Sequence, residues 1–272
     1  VILGVHYAGP GLNEGQTFSI SWGGPMNAIE ATRNLCDDYY CTDGLPIDKS
    51  PLFKGKTGKA AYDKDHPDFA RYENRDPRLK GTLFVPGMKW LNDVYDYDKD
   101  AKPDGKKIPS ASQVAIMKWF VPENMANEYD GSLDYYVIRY AEVLLSLSEA
   151  MIEKGGYSQE QITKYINEVR DRVHMPKVED VEGTGLSQEQ LRQIVRHERR
   201  VELAFEDLRF ADLYRWGEWK NAIDRMNKEF DTYGPGDYSR SYRGAQDEVW
   251  PIPQNEIDTD KNLKQHKEWG GE

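Results

Sequence analysis

Between Val137 and Arg209 the apolar positions fall on helical spacing, and that rhythm separates this stretch from everything before it. From Val137 onward, Tyr140, Ala141, Leu144, Leu147, Ser148 and Met151 recur at three and four. This predicts one face of a long helix, ended by Gly155-Gly156. The next two helices begin in nearly the same words, GYSQEQI at 156–162 and GLSQEQL at 185–191. Ser158 with Gln161, and Ser187 with Gln190, form capping boxes, while Tyr157 with Ile162 and Leu186 with Leu191 fit the hydrophobic staple. The second helix buries Ile162, Tyr165, Ile166, Val169 and Val173, and Pro176 closes it. The third runs from Ser187 to about Arg209, and a fourth covers about 218–230.

Residues 1–125 read differently. They are rich in Gly, Pro, Asn, Asp and aromatics, with short apolar runs at Val1–Val5, Phe18–Trp22, Gly81–Val85 and Val114–Val121. Short strands and turns around a few short helices are expected. Asp76-Pro77 reads as a helix N-cap followed by proline at the first helical position. From Thr232 to Glu272 the pattern is irregular, and Trp250-Pro251-Ile252-Pro253 predicts an extended segment anchored by its tryptophan. Three regions follow: a loop-rich, ligand-facing region at 1–125, a helical region at 126–231, and an irregular C-terminal segment at 232–272. Antiparallel helices joined by short loops predict a mainly α architecture with a tetratricopeptide-like scaffold, irregular segments and a few short strands.

The segment RHERRVELAFEDLRFADLYRW at 196–216 is the densest in charge. With Leu191 at zero and 100° per residue, the apolar stripe contains Leu191, Ile194, Val195, Val201, Phe205 and Leu208. Glu198, Glu202 and Arg209 fall inside that stripe, while Arg192, Arg196, Arg199 and Arg200 fall outside it. Carboxylates on a core face require ionic and hydrogen-bonding partners. Arg170 and Arg172, on the preceding helix, have the forked geometry to supply them. We therefore expect Glu198, Glu202, Arg170, Arg172 and Arg209 to be structural ion-pair residues, with Glu198 or Glu202 contacting Arg170 or Arg172, and not an acid/base pair. His197-Glu198 lacks the second histidine of a zincin, because Val201 stands in its place.

Charge narrows the partners. Lys and Arg total 36 against 47 Asp and Glu, a net charge of −11. Such a chain repels phosphate backbones, which argues against nucleic acid. No uncharged apolar run approaches a membrane span. The two cysteines, Cys36 and Cys41, have no histidine nearby and do not make a zinc pattern. They read as two buried thiols, or as a local disulfide if the chain is exported. VILGVHYAG lacks a methionine and a basic leader and resembles strand alternation entered midway, so a fragment or processed chain is expected.

Several blocks also carry a family resemblance. YYVIRYAEVLLSLSEAM, INEVRDRVHMP, IVRHERRVELAFEDLRFADLYRW and VWPIPQNEIDTDKNLKQH occur in one order. Together they resemble the C-terminal half of the SusD/RagB family of Bacteroidetes nutrient-binding lipoproteins. YYCTDGLPI (39–47) and NRDPRLKGTLF (74–84) resemble that family's middle segments, so the match runs from about Asp38 to His266. The resemblance implies an outer-membrane protein facing the cell exterior, anchored by lipid on an N-terminal Cys not present in this chain. It implies glycan binding by loops over a helical scaffold, with no catalysis and no cofactor. Its implied partners are a glycan, a SusC-like TonB-dependent transporter, and the N-terminal half of the same protein. RagB-like members offer a peptide- or protein-binding alternative, and a glycoside hydrolase rests on carboxylate density alone. In the family the ER-x-x-EL-x-FE motif, here Glu198 to Glu206, belongs to the fold. Family members are about twice this length, and internal Cys36 and Cys41 do not match the lipidation site.

Glycan recognition needs flat aromatic faces and polar groups on loops held by a rigid scaffold. Two loops have that composition, NEGQTFSISWGGPMN (13–27) and PGMKWLNDVYDYD (86–98). Trp22, Trp90, Asn92, Tyr95 and Tyr97 are the expected glycan contacts, whereas Trp119, Trp216 and Trp250 are expected in the core. Asp96, Asp98 and Asp100 occupy positions 1, 3 and 5 of an EF-hand-like loop. Ala101 and Lys107 replace its glycine and final glutamate, so calcium there is a weak expectation.

Overall fold

The computed structural model describes residues 1–6, 31–62, 68–90, 93–94, 114–119, 134–233 and 240–271. It is mainly helical, with short strands, and divides into two compact units. The first comprises Val1–Arg209 with Thr232–Gly234, and the second Phe210–Asp231 with Pro235–Glu272.

In the first unit, α3 (Tyr140–Lys154), α4 (Gln159–Asp171) and α6 (Gln188–Glu202) pack on one another, with α5 (Val178–Glu182) after α4. Both predicted capping boxes form: Ser158 Oγ accepts from Gln161 N and Ser187 Oγ from Gln190 N, each at 3.2 Å. Leu144, Leu145, Met151, Ile152, Ile162, Ile166, Val169, Leu191 and Val195 make one core between these helices. A second core joins α1 (Arg33–Asp38) and α2 (Pro77–Thr82) to the ribbon of β2 (Leu83–Phe84) and β5 (Ala115–Ile116). It contains Leu35, Tyr39, Leu79, Val85, Val114 and Val201. Helix α6 therefore serves both cores, through Leu191 and Val195 on one side and Val201 on the other. Asp76 caps α2 as its Asp-Pro signal predicts, accepting from Arg78 N at 2.9 Å. Cys36 and Cys41 are both buried as thiols and are not bridged.

Two expected boundaries move. The helical pattern starting at Val137 begins instead with β6 (Tyr135–Ile138), which pairs antiparallel with β1 (Leu3–Val5), and α3 starts only at Tyr140. The run Tyr-Tyr-Val-Ile is β-branched and aromatic, so it suits a strand once a partner strand is present. The third helix ends at Glu202, not near Arg209. Phe205 and Asp207 both take φ of 60, in the left-handed region. That turn re-aims the chain before α7 (Arg209–Arg215). A helix terminus leaves carbonyls without intrahelical donors. Here Tyr39 Oη donates to Val201 O (3.1 Å), Lys118 Nζ to Glu202 O (3.1 Å) and Ala204 O (3.0 Å), and Trp119 Nε1 to Phe205 O (2.7 Å). Non-local donors thus make the early stop affordable, which no local pattern announces.

Helix α8 spans Trp219–Tyr233, and in the second unit α9 spans Gln254–Thr259. The extended 250–253 segment is fixed by Ile252, whose N–H donates to Gln265 Oε1 (3.0 Å) and whose carbonyl accepts from Gln265 Nε2 (2.8 Å). Trp269 Nε1 adds a bond to Val249 O at 2.6 Å. Trp250 is not the anchor and not core: it is 82% exposed. The backbone bonds on either side hold the segment, leaving its indole nothing to fill.

Candidate functional site

Of the expected glycan contacts, Trp22, Asn92, Tyr95 and Tyr97 lie outside the described residues, as do Asp96, Asp98 and Asp100. Trp90 lies in β3 (Lys89–Trp90), paired antiparallel with β4 (Asp93–Val94) in the register Trp90↔Asp93. Its side chain is outside what the structure describes. The best-defined concentration of chemistry-bearing groups is instead the charged centre at the C-terminal end of α6.

Glu198 and Glu202 sit one helical turn apart on α6 and are 1% and 3% exposed. Arg78 Nη1 reaches Glu198 Oε1 at 2.6 Å and Glu202 Oε2 at 2.9 Å. The remainder of its guanidinium is held by Asp76, with Nε at 3.0 Å from Oδ1 and Nη2 at 2.7 Å from Oδ2. Arg170 Nε donates to Glu198 Oε2 at 2.8 Å. Glu202 receives Arg172 Nη2 on both oxygens at 2.8 Å and Arg139 Nη1 on Oε1 at 2.6 Å. Arg139 also binds Glu206, which pairs with Lys118 as well. Arg139 stands at the N-cap of α3, and Lys118 just after β5. Four elements, α2, α3, α4 and β5, therefore send charged groups to the end of α6.

The protonation states follow from this arrangement. Burial alone would raise the Glu198 carboxyl, but Arg78 and Arg170 outweigh it and hold it at about 2. Burial likewise opposes ionisation of Glu202, and Arg139, Arg78 and Arg172 overcome it to lower its carboxyl. His197 faces the other way: burial lowers its imidazole to about 4, so it is neutral at pH 7, and its ring stacks on Tyr40 at 4.0 Å. A general acid needs a raised carboxyl pKa, and a general base needs a lone pair open to substrate. Glu198 and Glu202 offer neither, since each oxygen is engaged by an arginine. The chemistry this arrangement performs is internal bracing.

Two positions differ from the helical-wheel expectation. Arg199, placed outside the stripe, is 4% exposed; its Nη1 donates to Ser146 Oγ at 3.0 Å, and its Nε lies 3.8 Å from Glu149. A wheel assumes one buried side, whereas α6 has α3 on one flank and α1 and α2 on another. On that second flank Arg200 pairs with Asp38. Arg209 lies beyond the end of α6, in the first turn of α7, so its place in the α6 stripe does not exist. Sequence reasoning missed Arg78, Arg139 and Lys118. For Arg139 the available signal was a single basic residue set in an otherwise apolar run, YYVIRYAEV.

Among the described residues, no group of three or more His, Cys, Asp or Glu side chains could hold a metal ion, and no helix is long and apolar enough to cross a membrane.

The model of the SusD family matches residues 7–269. The chain is 31% identical over 203 residues to the SusD-like protein P2 of Formosa agariphila, covering 71% of this chain and 37% of that one. A SusD-like carbohydrate binding protein from Bacteroides fragilis shares its fold with a TM-score of 0.68 and 29% identity, over 96% of this chain and 53% of that one. A SusD homolog from Bacteroides thetaiotaomicron gives 0.53 and 27%, over 70% and 40%. The chain thus spans between about a third and a half of the length of these relatives. A mainly α fold braced through the end of α6, together with a family match over nearly its whole length, makes this chain a member of the SusD family.

Proposed function

We propose that this chain is part of a non-catalytic surface protein that binds oligosaccharide or polysaccharide and passes it to a SusC-like TonB-dependent transporter. The observation that carries this reading is the family match over residues 7–269, joined by the carbohydrate binding named for the B. fragilis relative. The sugar contacts in this reading are Trp22, Trp90, Asn92, Tyr95 and Tyr97. Aromatic faces supply stacking area, and Asn92 supplies hydroxyl hydrogen bonds. In this reading the protein is lipid-anchored at the outer membrane and faces outward. Calcium at Asp96, Asp98 and Asp100 is a separable part of the proposal, tested by calorimetry with calcium alone.

A glycan array run beside a hydrolysis assay tests the central claim. Binding without turnover supports it. Release of shorter sugars, or binding of peptides in place of glycans, overturns it. Trp22→Ala and Trp90→Ala should each weaken glycan binding about tenfold, the loss of roughly 1.4 kcal/mol of contact. Unchanged affinity in both variants removes these residues from the site.

A further inference from the structure

The chain is acidic overall, yet from Lys49 to Tyr62 it carries four lysines and neither Asp nor Glu. Lys49, Lys54 and Lys56 are exposed, and among the described residues none of the three has a carboxylate partner. Exposed Lys80 and Lys220, by contrast, are paired with Glu73 and Asp224. The backbone that presents the lysines is clamped. Ser50 Oγ donates to Asp43 Oδ2 at 2.7 Å, Asn74 Nδ2 donates to Leu52 O at 3.3 Å, and the Arg75 guanidinium lies 5.6 Å from the Phe53 ring centre. Arg71 Nη1 donates to Lys56 O at 3.0 Å, and Asp68 accepts from Lys56 N. At Gly55 a Cβ would come within 2.3 Å of Arg71 Cβ, so only glycine lets the strip approach this closely. Lys54-Gly55-Lys56 is thereby pressed against the 3₁₀ turn Phe69–Tyr72.

That turn buries Arg71 and Tyr72 and leaves Phe69 43% exposed. One edge of the Phe69 ring lies against Gly87, where a Cβ would come within 3.1 Å of Cδ1. Gly87, at φ 89, is the third residue of the turn Val85-Pro86-Gly87-Met88, closed by Met88 N donating to Val85 O at 3.1 Å. Proline followed by a left-handed glycine is the type II pattern. The turn leads straight into β3, the strand of Trp90. An exposed aromatic ring, two exposed ammonium groups on clamped backbone and the base of the Trp90 hairpin thus share one edge of the first unit.

We infer that this edge reads an anionic saccharide, with Phe69 against the apolar face of a sugar ring and Lys54 and Lys56 on its carboxylate or sulfate. The inference rests on the glycan-binding reading and narrows it to acidic sugars. Aromatic rings supply flat contact area at low entropic cost. Lysine brings a point charge on a flexible stem, which follows an anion whose position varies along a polymer. In a chain of net charge −11, lysines without carboxylate partners keep a local attraction for anions against the repulsion of the whole surface.

Calorimetry on the 272-residue chain tests this with four probes: an oligogalacturonate (carboxylate), a κ-carrageenan oligosaccharide (sulfate), cellohexaose (neutral) and inorganic polyphosphate (charge without sugar). At least one acidic sugar should bind ~10-fold or more tightly than cellohexaose and polyphosphate, with the advantage shrinking as salt rises towards ~1 M. The two acidic probes separate carboxylate from sulfate. Lys54→Gln combined with Lys56→Gln should weaken the acidic probe about fivefold and leave cellohexaose within about twofold, the scale of two exposed ion pairs. Phe69→Leu keeps apolar bulk without the flat face and should weaken it about threefold, whereas Phe69→Trp should retain it. Melting temperatures of these variants should stay with the parent, because all three positions are exposed. Cellohexaose bound as tightly as the acidic sugars overturns the inference and leaves glycan binding standing. Acidic-sugar binding that survives loss of both lysines, or that ignores Phe69→Leu, overturns it, as does equal binding of polyphosphate. A glycan array of acidic and neutral members with no binding at all removes the glycan reading and this inference together.

Discussion

Arg78 and Glu198 lie 120 residues apart in sequence and meet at 2.6 Å, with both side chains buried. The same Arg78 nitrogen reaches Glu202, so one cation bridges two carboxylates on successive turns of α6. Replacing Arg78 by methionine keeps much of its volume and removes the charge. Breaking a buried pair by deleting one partner costs about 3–5 kcal/mol, because the other charge is left in a low-dielectric site. Arg78→Met should therefore destabilise the first unit by that order in urea unfolding followed by circular dichroism. Arg78→Lys should recover little, because an ammonium cannot serve Asp76, Glu198 and Glu202 through one planar fork. Loss of under 1 kcal/mol in both variants would remove Arg78 from the centre of the network.

Glu202→Gln separates bracing from ligand binding. The amide keeps the shape and one acceptor but removes the carboxylate that Arg172 meets and one of the two that Arg139 meets. A drop of about 2 kcal/mol or more in stability is expected, since hydrogen bonds to charged groups are worth about 1.5–3 kcal/mol each. Glycan affinity, measured by calorimetry where the variant is still folded, should stay within about twofold of the parent, a difference under 0.5 kcal/mol. A stable variant with abolished binding would instead place Glu202 in the ligand site.

The two tryptophans flanking the C-terminal segment should behave oppositely. Trp250 is exposed and makes no bond that fixes the 250–253 segment, so Trp250→Ala should change stability by no more than about 0.5 kcal/mol. Trp269 donates to Val249 O and stacks under Arg243, whose guanidinium lies 5.4 Å from the ring. Trp269→Phe should cost about 1 kcal/mol, the net worth of one hydrogen bond. Thermal melts of the two variants side by side decide, and a larger loss at Trp250 would return that residue to the core.

What the sequence made legible follows interaction range. The Ser158 and Ser187 caps were readable because donor and acceptor are three residues apart. The need of Glu198 and Glu202 for cations was readable because a carboxylate on an apolar stripe has no other solution. Which cations answer was only partly readable. Arg170 and Arg172 lie on the adjacent helix in sequence, whereas Arg78 and Arg139 arrive from elements 124 and 63 residues from Glu202. Trp250 misled because a tryptophan leading into a proline-rich run looks like an anchor, and the glutamine that actually anchors the segment, Gln265, sits 13 residues beyond Ile252. The end of α6 was illegible for the same reason: the donors that satisfy its carbonyls, Lys118 and Trp119, are more than 80 residues away.

Acid should destabilise the first unit in two successive windows. The folded state holds His197 at about 4 against an ordinary 6.5, because burial penalises the imidazolium. The unfolded chain therefore binds that proton more readily, and stability falls as pH drops from about 6.5 towards 4. Glu198 is depressed from 4.5 to about 2, so its contribution is complete above 4.5 and is lost as pH falls from there towards 2. Both signs point the same way, and the histidine acts first. His197→Phe keeps an aromatic ring against Tyr40 and removes the titrating group. The variant's melting temperature should stay nearly flat between pH 6.5 and 5, where that of the parent declines. Parallel profiles in parent and variant would show that the upper window belongs to another group.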